Sequence, residues 1–193
     1  MSRQTHVSTL LRLFRQFGYE GLTLSKISQE TGLGKASLYH HFPGGKTEMA
    51  EAALCQVNQW LETKILPSLA EAASLEENLQ IKPIDAFRAM CQDVNHFFNE
   101  GQNACLWAVL VLEQSSNDLF HSQISWAFSQ WIQAIAKVLI SAGLDETLAQ
   151  QRGEDAMIAI QGALILCHGM HDFTSFKRMI NQLPQQLCQG IED

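Results

Sequence analysis

The chain has 193 residues, a formal net charge of −7 and 46% hydrophobic residues, enough for one domain or for a small head on a larger body. That acidic balance excludes a nucleic-acid binder whose whole surface is cationic. Five cysteines (Cys55, Cys91, Cys105, Cys167, Cys188) lack CxxC or zinc-like spacing and are odd in number, as reduced thiols in a cytoplasmic protein would be. His6, Arg12, Arg15 and Gln16 interrupt the first apolar run, and no run approaches the ~20 apolar residues of a membrane span. A soluble, cytoplasmic protein with no membrane partner is expected.

Charge is unevenly placed. Residues 1–48 hold Arg3, Arg12, Arg15, Lys26, Lys35 and Lys46 against Glu20, Glu30 and Glu48, a balance of +3 that leaves −10 for the rest. A basic head on an acidic body suits local binding of phosphate.

Helical periodicity dominates, which predicts an all-α chain of about nine helices. Leu10, Leu13, Phe14 and Phe17 share one face of the first helix, and Gly18 stops it. Thr23 opens a second helix that runs to Glu30 or Thr31, Gly32 ends it, and Lys35 to His41 form a third. Pro43-Gly44-Gly45 breaks the chain before a long fourth helix from about Lys46 to Leu66, with Met49, Ala53, Val57, Trp60 and Leu61 facing a core and Pro67 closing it. Residues 68–82 are weakly patterned, with a Glu76-Glu77-Asn78 cluster whose glutamates read as solvated surface or helix-start charge. Further helices follow near 84–99, 104–115, 118–142, 146–170 and 173–188, the last expected to kink or shorten at Pro184.

Residues 23–42, TLSKISQETGLGKASLYHHF, meet the demands of a helix-turn-helix. Leu24, Ile27, Leu33 and Leu38 lock two short helices together, Ser28 suits a crossing with room only for a small side chain, and Gly32 supplies the sharp exit. Lys35, Ala36, Ser37, Tyr39 and His40 then point outward. A cation, a methyl, a hydroxyl, a phenol and an imidazole are groups that reach base edges, thymine methyls and phosphates in a major groove. Residues 1–48 are therefore expected to be a DNA-binding domain and residues 49–193 a helical body.

Helix-turn-helix proteins usually pair on half-sites about one DNA turn, ~34 Å, apart, so the body has to supply a dimer surface. Residues 156–170, AMIAIQGALILCHGM, are apolar nearly all round, and Phe173, Phe176, Ile180, Leu183 and Leu187 make a stripe on the last helix. Ile160, Ala163, Leu164, Cys167, Phe176, Ile180, Leu183 and Leu187 are the candidate interface; the same stripe would also serve as intrachain core. Phe87, Met90, Cys91, Phe97, Trp107, Trp126, Phe128, Trp131 and His168 either line an apolar ligand pocket or close a core.

No GxSxG, GxxxxGK[ST] or HExxH occurs, and Glu154-Asp155 reads as solvated charge, so no enzyme and no cofactor is expected. His168 and His171, with Cys167 and Asp172 beside them, do not complete a coordination shell, and no metal site is expected. A helical adaptor is the other class open to such a chain, but it would leave Lys35 and Tyr39 without a reason to be exposed.

Gly18-Tyr19-Glu20-Gly21-Leu22-Thr23, Ile27, Thr31-Gly32-Leu33 and Leu38-Tyr39-His40-His41-Phe42 together resemble the tetracycline-repressor (TetR) family over about the first quarter of the chain. Ser28 replaces the family's usual alanine, and Pro43-Gly44-Gly45 is one residue longer than the common connection, which resembles the LmrA/YxaF-like branch. The resemblance implies that Thr23 caps the second helix and touches phosphate, and that Lys35, Ala36, Ser37, Tyr39 and His40 face the groove. It also implies that Lys46 holds the DNA backbone with the dipole of the fourth helix, and that Phe42 is buried. At the level of function it implies a homodimeric repressor on a palindromic operator in double-stranded DNA. A small inducer, apolar or aromatic, would bind the body, tilt the fourth helix and release the operator.

Overall fold

The all-helical expectation holds in the computed structural model, which describes residues 3–74 and 81–191 and contains no strand among them. Glu76, Glu77 and Asn78 lie outside the described residues. The helices are α1 (Arg3–Gly21), α2 (Leu24–Thr31), α3 (Lys35–His41), α4 (Gly45–Trp60), α5 (Leu66–Ala72), α6 (Pro83–Phe97), α7 (Leu106–Val111), α8 (Gln114–Ser141), α9 (Glu146–Met170) and α10 (Thr174–Leu187). A π-helical turn, Leu61–Ile65, joins α4 to α5. No helix among the described residues is long and apolar enough to cross a membrane.

Pro67 does not close the fourth helix as the sequence suggested. A proline lacks the N–H that an α-helix interior needs, but it fits the first turn of a new helical segment. The π turn provides that restart: the Leu66 N–H reaches back five residues to Leu61 O, and Pro67 falls in the first turn of α5. Pro184 likewise does not end α10, which continues to Leu187 with Pro184 buried.

The chain divides into two compact units: Met1–Gln59 with Ala104–Ile124, and Trp60–Asn103 with Ser125–Asp193. The division differs from a boundary after residue 48, since the first unit takes in most of α4, all of α7 and the start of α8. Its core holds Leu10, Leu13, Phe14, Ile27, Leu38, Phe42, Met49, Leu54, Trp107 and Phe120, all at most 1% exposed. Phe17 departs from the expected apolar face, standing 37% exposed with Lys26 Nζ 5.8 Å from its ring centre.

In the second unit α10 packs against both α6 and α9. Its core gathers aromatic rings: Phe98 meets Phe176 edge-on at 6.3 Å, and Trp131, fully buried, donates its indole N–H to Met90 Sδ at 3.4 Å.

Candidate nucleic-acid interface

Each part of the helix-turn-helix has a local cause. Thr23 sits in extended backbone and its hydroxyl oxygen accepts the Lys26 N–H at 3.2 Å, capping α2. Gly32 ends α2 in the left-handed region at φ 70°, which costs a glycine nothing. Ser28 donates its hydroxyl to Leu33 O at 2.6 Å and so ties α2 to the turn. Thr31, buried, donates to Ile27 O at 2.7 Å.

The turn leaves α3 with Leu38 1% exposed and its opposite side open. Lys35, Ala36, Tyr39 and His40 are exposed and Ser37 is half-buried, so the structure brings the five expected reading side chains to one short helix. His40 meets His41 edge-on at 5.6 Å, and the His41 ring lies 5.5 Å from buried His6 on α1. His41 is thus held by packing between α1 and α3. Phe42 is fully buried.

Arg12 and Lys26 are engaged with one glutamate. Glu30 accepts from Arg12 at 2.7 Å and lies 3.2 Å from Lys26, and these hydrogen bonds, Arg12's foremost, hold its carboxyl below the ordinary value of 4.5. Burial pulls the Arg15 guanidinium down to about 10, still charged at neutral pH, with Cys105 opposing that fall. Lys35 makes no ion pair with another described residue, which leaves its charge free at the first position of α3.

Lys46 is engaged within the chain. Its Nζ donates to Tyr19 O at 2.8 Å and Leu22 O at 3.1 Å and stands 4.5 Å over the Tyr19 ring. In the free protein the ammonium is spent on the α1–α2 segment, the residues from the kink inside α1 to the start of α2. That segment begins at Gly18, where φ is 68°. From its other side the Glu113 carboxylate accepts the N–H groups of Tyr19, at 2.6 Å, and Glu20, at 3.2 Å. Sequence reading missed Glu113, because a side chain that binds backbone N–H groups 94 residues away leaves no periodic signal.

The candidate pocket residues are divided between the two units. Phe87, Met90, Cys91 and Trp131 are buried in the second unit, and burial pushes the Cys91 thiol up to about 12. Trp107 belongs to the first unit, where its indole N–H donates to Asn58 at 2.9 Å. Trp126 is 38% exposed, Phe128 is half-buried, and His168 is exposed beside Phe173. Phe97 instead stacks on Trp60, a residue assigned only to core from the sequence. Two recesses, of about 120 Å³ (Leu66, Leu69, Gln130, Lys137 in its wall) and about 240 Å³ (Gln92, Asn95, Lys177, Asn181), include none of these residues.

The candidate interface residues Ile160, Ala163, Leu164, Cys167, Phe176, Ile180, Leu183 and Leu187 are all buried within the chain, at 7% exposure or less. The geometric reason is that α9 turns this face to its own unit, as its packing on α10 requires. Ile158 and Ile165 lie about half a turn round from it, with Leu166 and Met170 to one side, all at 53–68% exposure. This face is one of several exposed apolar places on the chain, beside Leu112, Leu119, Ile140 and Leu148 elsewhere.

A glycine-turned pair of short helices, the second anchored by one leucine and otherwise open to solvent, defines a helix-turn-helix DNA-binding regulator. Residues 7–53 match the family described as bacterial regulatory proteins, tetR family, and residues 83–182 match the one described as transcriptional regulator LmrA/YxaF-like, C-terminal domain. The chain belongs to the TetR family of DNA-binding transcriptional regulators, in its LmrA/YxaF-like branch, and these are regulators, not enzymes.

It is 26% identical over 188 residues to the HTH-type transcriptional regulator LmrA of Bacillus subtilis (strain 168), covering 96% of both chains. It is also 26% identical over 186 residues to the uncharacterized regulator YxaF of that organism, covering 95% of this chain and 93% of the other. The fold matches a TetR regulator from Legionella pneumophila (TM-score 0.77, 18% identity, 96% and 97% of the two chains). It also matches SCO4454 from Streptomyces coelicolor (TM-score 0.78, 16% identity, 99% and 96%).

Proposed function

We propose that the protein is a cytoplasmic homodimeric repressor that leaves a palindromic operator when a small apolar or aromatic molecule binds its body. The observation that carries the reading is the outer face of α3, where Lys35, Ala36, Tyr39 and His40 are exposed around a buried Leu38. Tyr39 and His40 read base edges, Lys35 holds phosphate, and Thr23 with Ser37 adds hydroxyl contacts at the rim.

Pairing uses the exposed face of α9. Ile158, Ile165, Leu166 and Met170 form an apolar strip, with Gly162 and Gly169 beside it to allow close approach. Two copies related by a twofold axis present two α3 helices, which is why the operator has to be palindromic.

The ligand enters among Trp60, Phe97 and Trp131, whose rings already make a stacked and edge-on cluster. Trp60 is the last residue of α4, so a molecule that displaces its ring acts on the helix whose first turn carries Lys46. Release requires that the ligand bind the DNA-incompetent state more tightly than the competent one.

Selection from a random duplex pool followed by footprinting tests the reading. A twofold-symmetric footprint, lost on adding an aromatic compound that the protein binds, is the expected result. Recovery of only unrelated sequences would contradict it.

A further inference from the structure

Two glutamates join the α1–α2 segment, from the Gly18 kink onward, to the junction of α7 with the first turn of α8, and they do so reciprocally. Glu113, the residue before α8, accepts the N–H groups of Tyr19 and Glu20 through Oε2. Glu20 in turn accepts the Ser115 N–H at 3.2 Å and the Ser115 hydroxyl. Each carboxylate thus satisfies backbone donors on the other segment. Ser116, fully buried, braces Glu113 with its hydroxyl 3.3 Å from Oε2, while donating to Leu110 O at 2.6 Å.

Gly18 makes the clasp possible. A Cβ there would collide with Glu113 Oε1 and crowd its carboxyl carbon, and the backbone stands at φ 68°, where side chains are strained. The same short segment is held from its far side by Lys46, and Tyr19 also reaches Thr47 through its hydroxyl at 2.9 Å and Phe120 edge-on at 5.9 Å. Four residues, Tyr19 to Leu22, therefore lead into α2 with their path fixed at both ends. The angle at which α2, and through Ser28 and Gly32 the reading helix α3, leaves that path is set by contacts rather than by the flexibility of the glycines.

We propose that Glu113 is a positioning residue for operator binding: with Glu20 it clasps the α1–α2 segment to the α7–α8 segment and so orients α3. It touches no DNA. A clasp built of charge-assisted hydrogen bonds to N–H groups is directional, so losing it leaves the head folded and basic but variably aimed. Attraction to phosphate tolerates such variation, whereas side-chain contact with base edges does not.

The test compares binding to a duplex selected from a random pool by the wild-type protein with binding to a scrambled duplex of equal length. The inference rests on α3 being the reading helix, and the wild-type protein's preference, measured in parallel, tests that reading separately. Glu113→Gln is expected to lower the ratio of selected to scrambled affinity roughly 10-fold while scrambled binding stays the same. Gly18→Ala is expected to lower the ratio in the wild-type background, by the clash with Glu113 and by the strain of a side chain at φ 68°. If Glu113→Gln does not fold, Glu20→Gln, on the exposed half of the clasp, is expected to shift the ratio in the same direction and decides the matter. An unchanged ratio overturns the proposal. So does an equal loss on both duplexes, which would mark damage to the fold.

Discussion

Trp60 and Phe97 lie face to face, their ring centroids 3.9 Å apart and their planes 11° from parallel. Trp60 also meets Phe98 and Trp131 edge-on, at 6.3 and 5.6 Å, so four rings meet where α4 gives way to the π turn. Replacing Phe97 by Leu keeps apolar volume but removes the stack, a loss of about 1 kcal/mol. Thermal unfolding is expected to fall by about 2–4 °C, with a change in tryptophan emission from Trp60. A variant with wild-type stability and emission would show that the stack contributes nothing.

The exposed α9 strip makes a different demand. Ile165→Glu places a carboxylate in the middle of the apolar face without touching the core that Ile160 and Leu164 fill. Sedimentation equilibrium is expected to show a monomer with native helical content. A variant that still sediments as a dimer would remove α9 from the interface.

Lys46 and Lys35, the two lysines of the family expectation, separate by experiment. Lys46 bonds Tyr19 O and Leu22 O, so Lys46→Ala leaves two part-buried carbonyls short of a donor and is expected to cost about 1–3 kcal/mol of stability. Lys35 has no such partner, and Lys35→Ala is expected to leave stability unchanged while reducing the salt dependence of DNA binding by about one unit of slope per site. Chemical denaturation and a salt titration read the two effects.

Acid tests the head's ion cluster. The Glu30 carboxyl is held below 4.5 by hydrogen bonds from Arg12 and Lys26, so its contribution to stability is present above that value and is lost as pH falls through the lowered one. Urea midpoints of the wild type and Glu30→Gln are expected to differ at pH 7 and to converge below pH 4.5. A difference that persists in acid would assign the effect to packing.

The helix-turn-helix was legible from sequence because its causes are local: a threonine cap at Thr23, a left-handed glycine at Gly32, one buried leucine at Leu38. The division of α9 into core and free face was not. Its apolar residues surround the helix, and the choice between Ile160 and Ile158 is made by α10, which packs against one side. Trp107 was grouped with the other aromatic residues by composition, but its partner is Asn58, which no spacing rule connects to it. Pro67 read as a stop because the π turn that accommodates it has no signature in residue type.

The central claim is that α3 reads sequence. It is tested most directly by measuring how tightly wild type and Tyr39→Ala bind a duplex selected by the wild-type protein and a scrambled duplex. Tyr39 is 41% exposed, so its removal leaves the core intact. Tyr39→Ala is expected to lose roughly 10- to 100-fold on the selected duplex and to change little on the scrambled one. Equal affinity of both proteins for the selected duplex would contradict it.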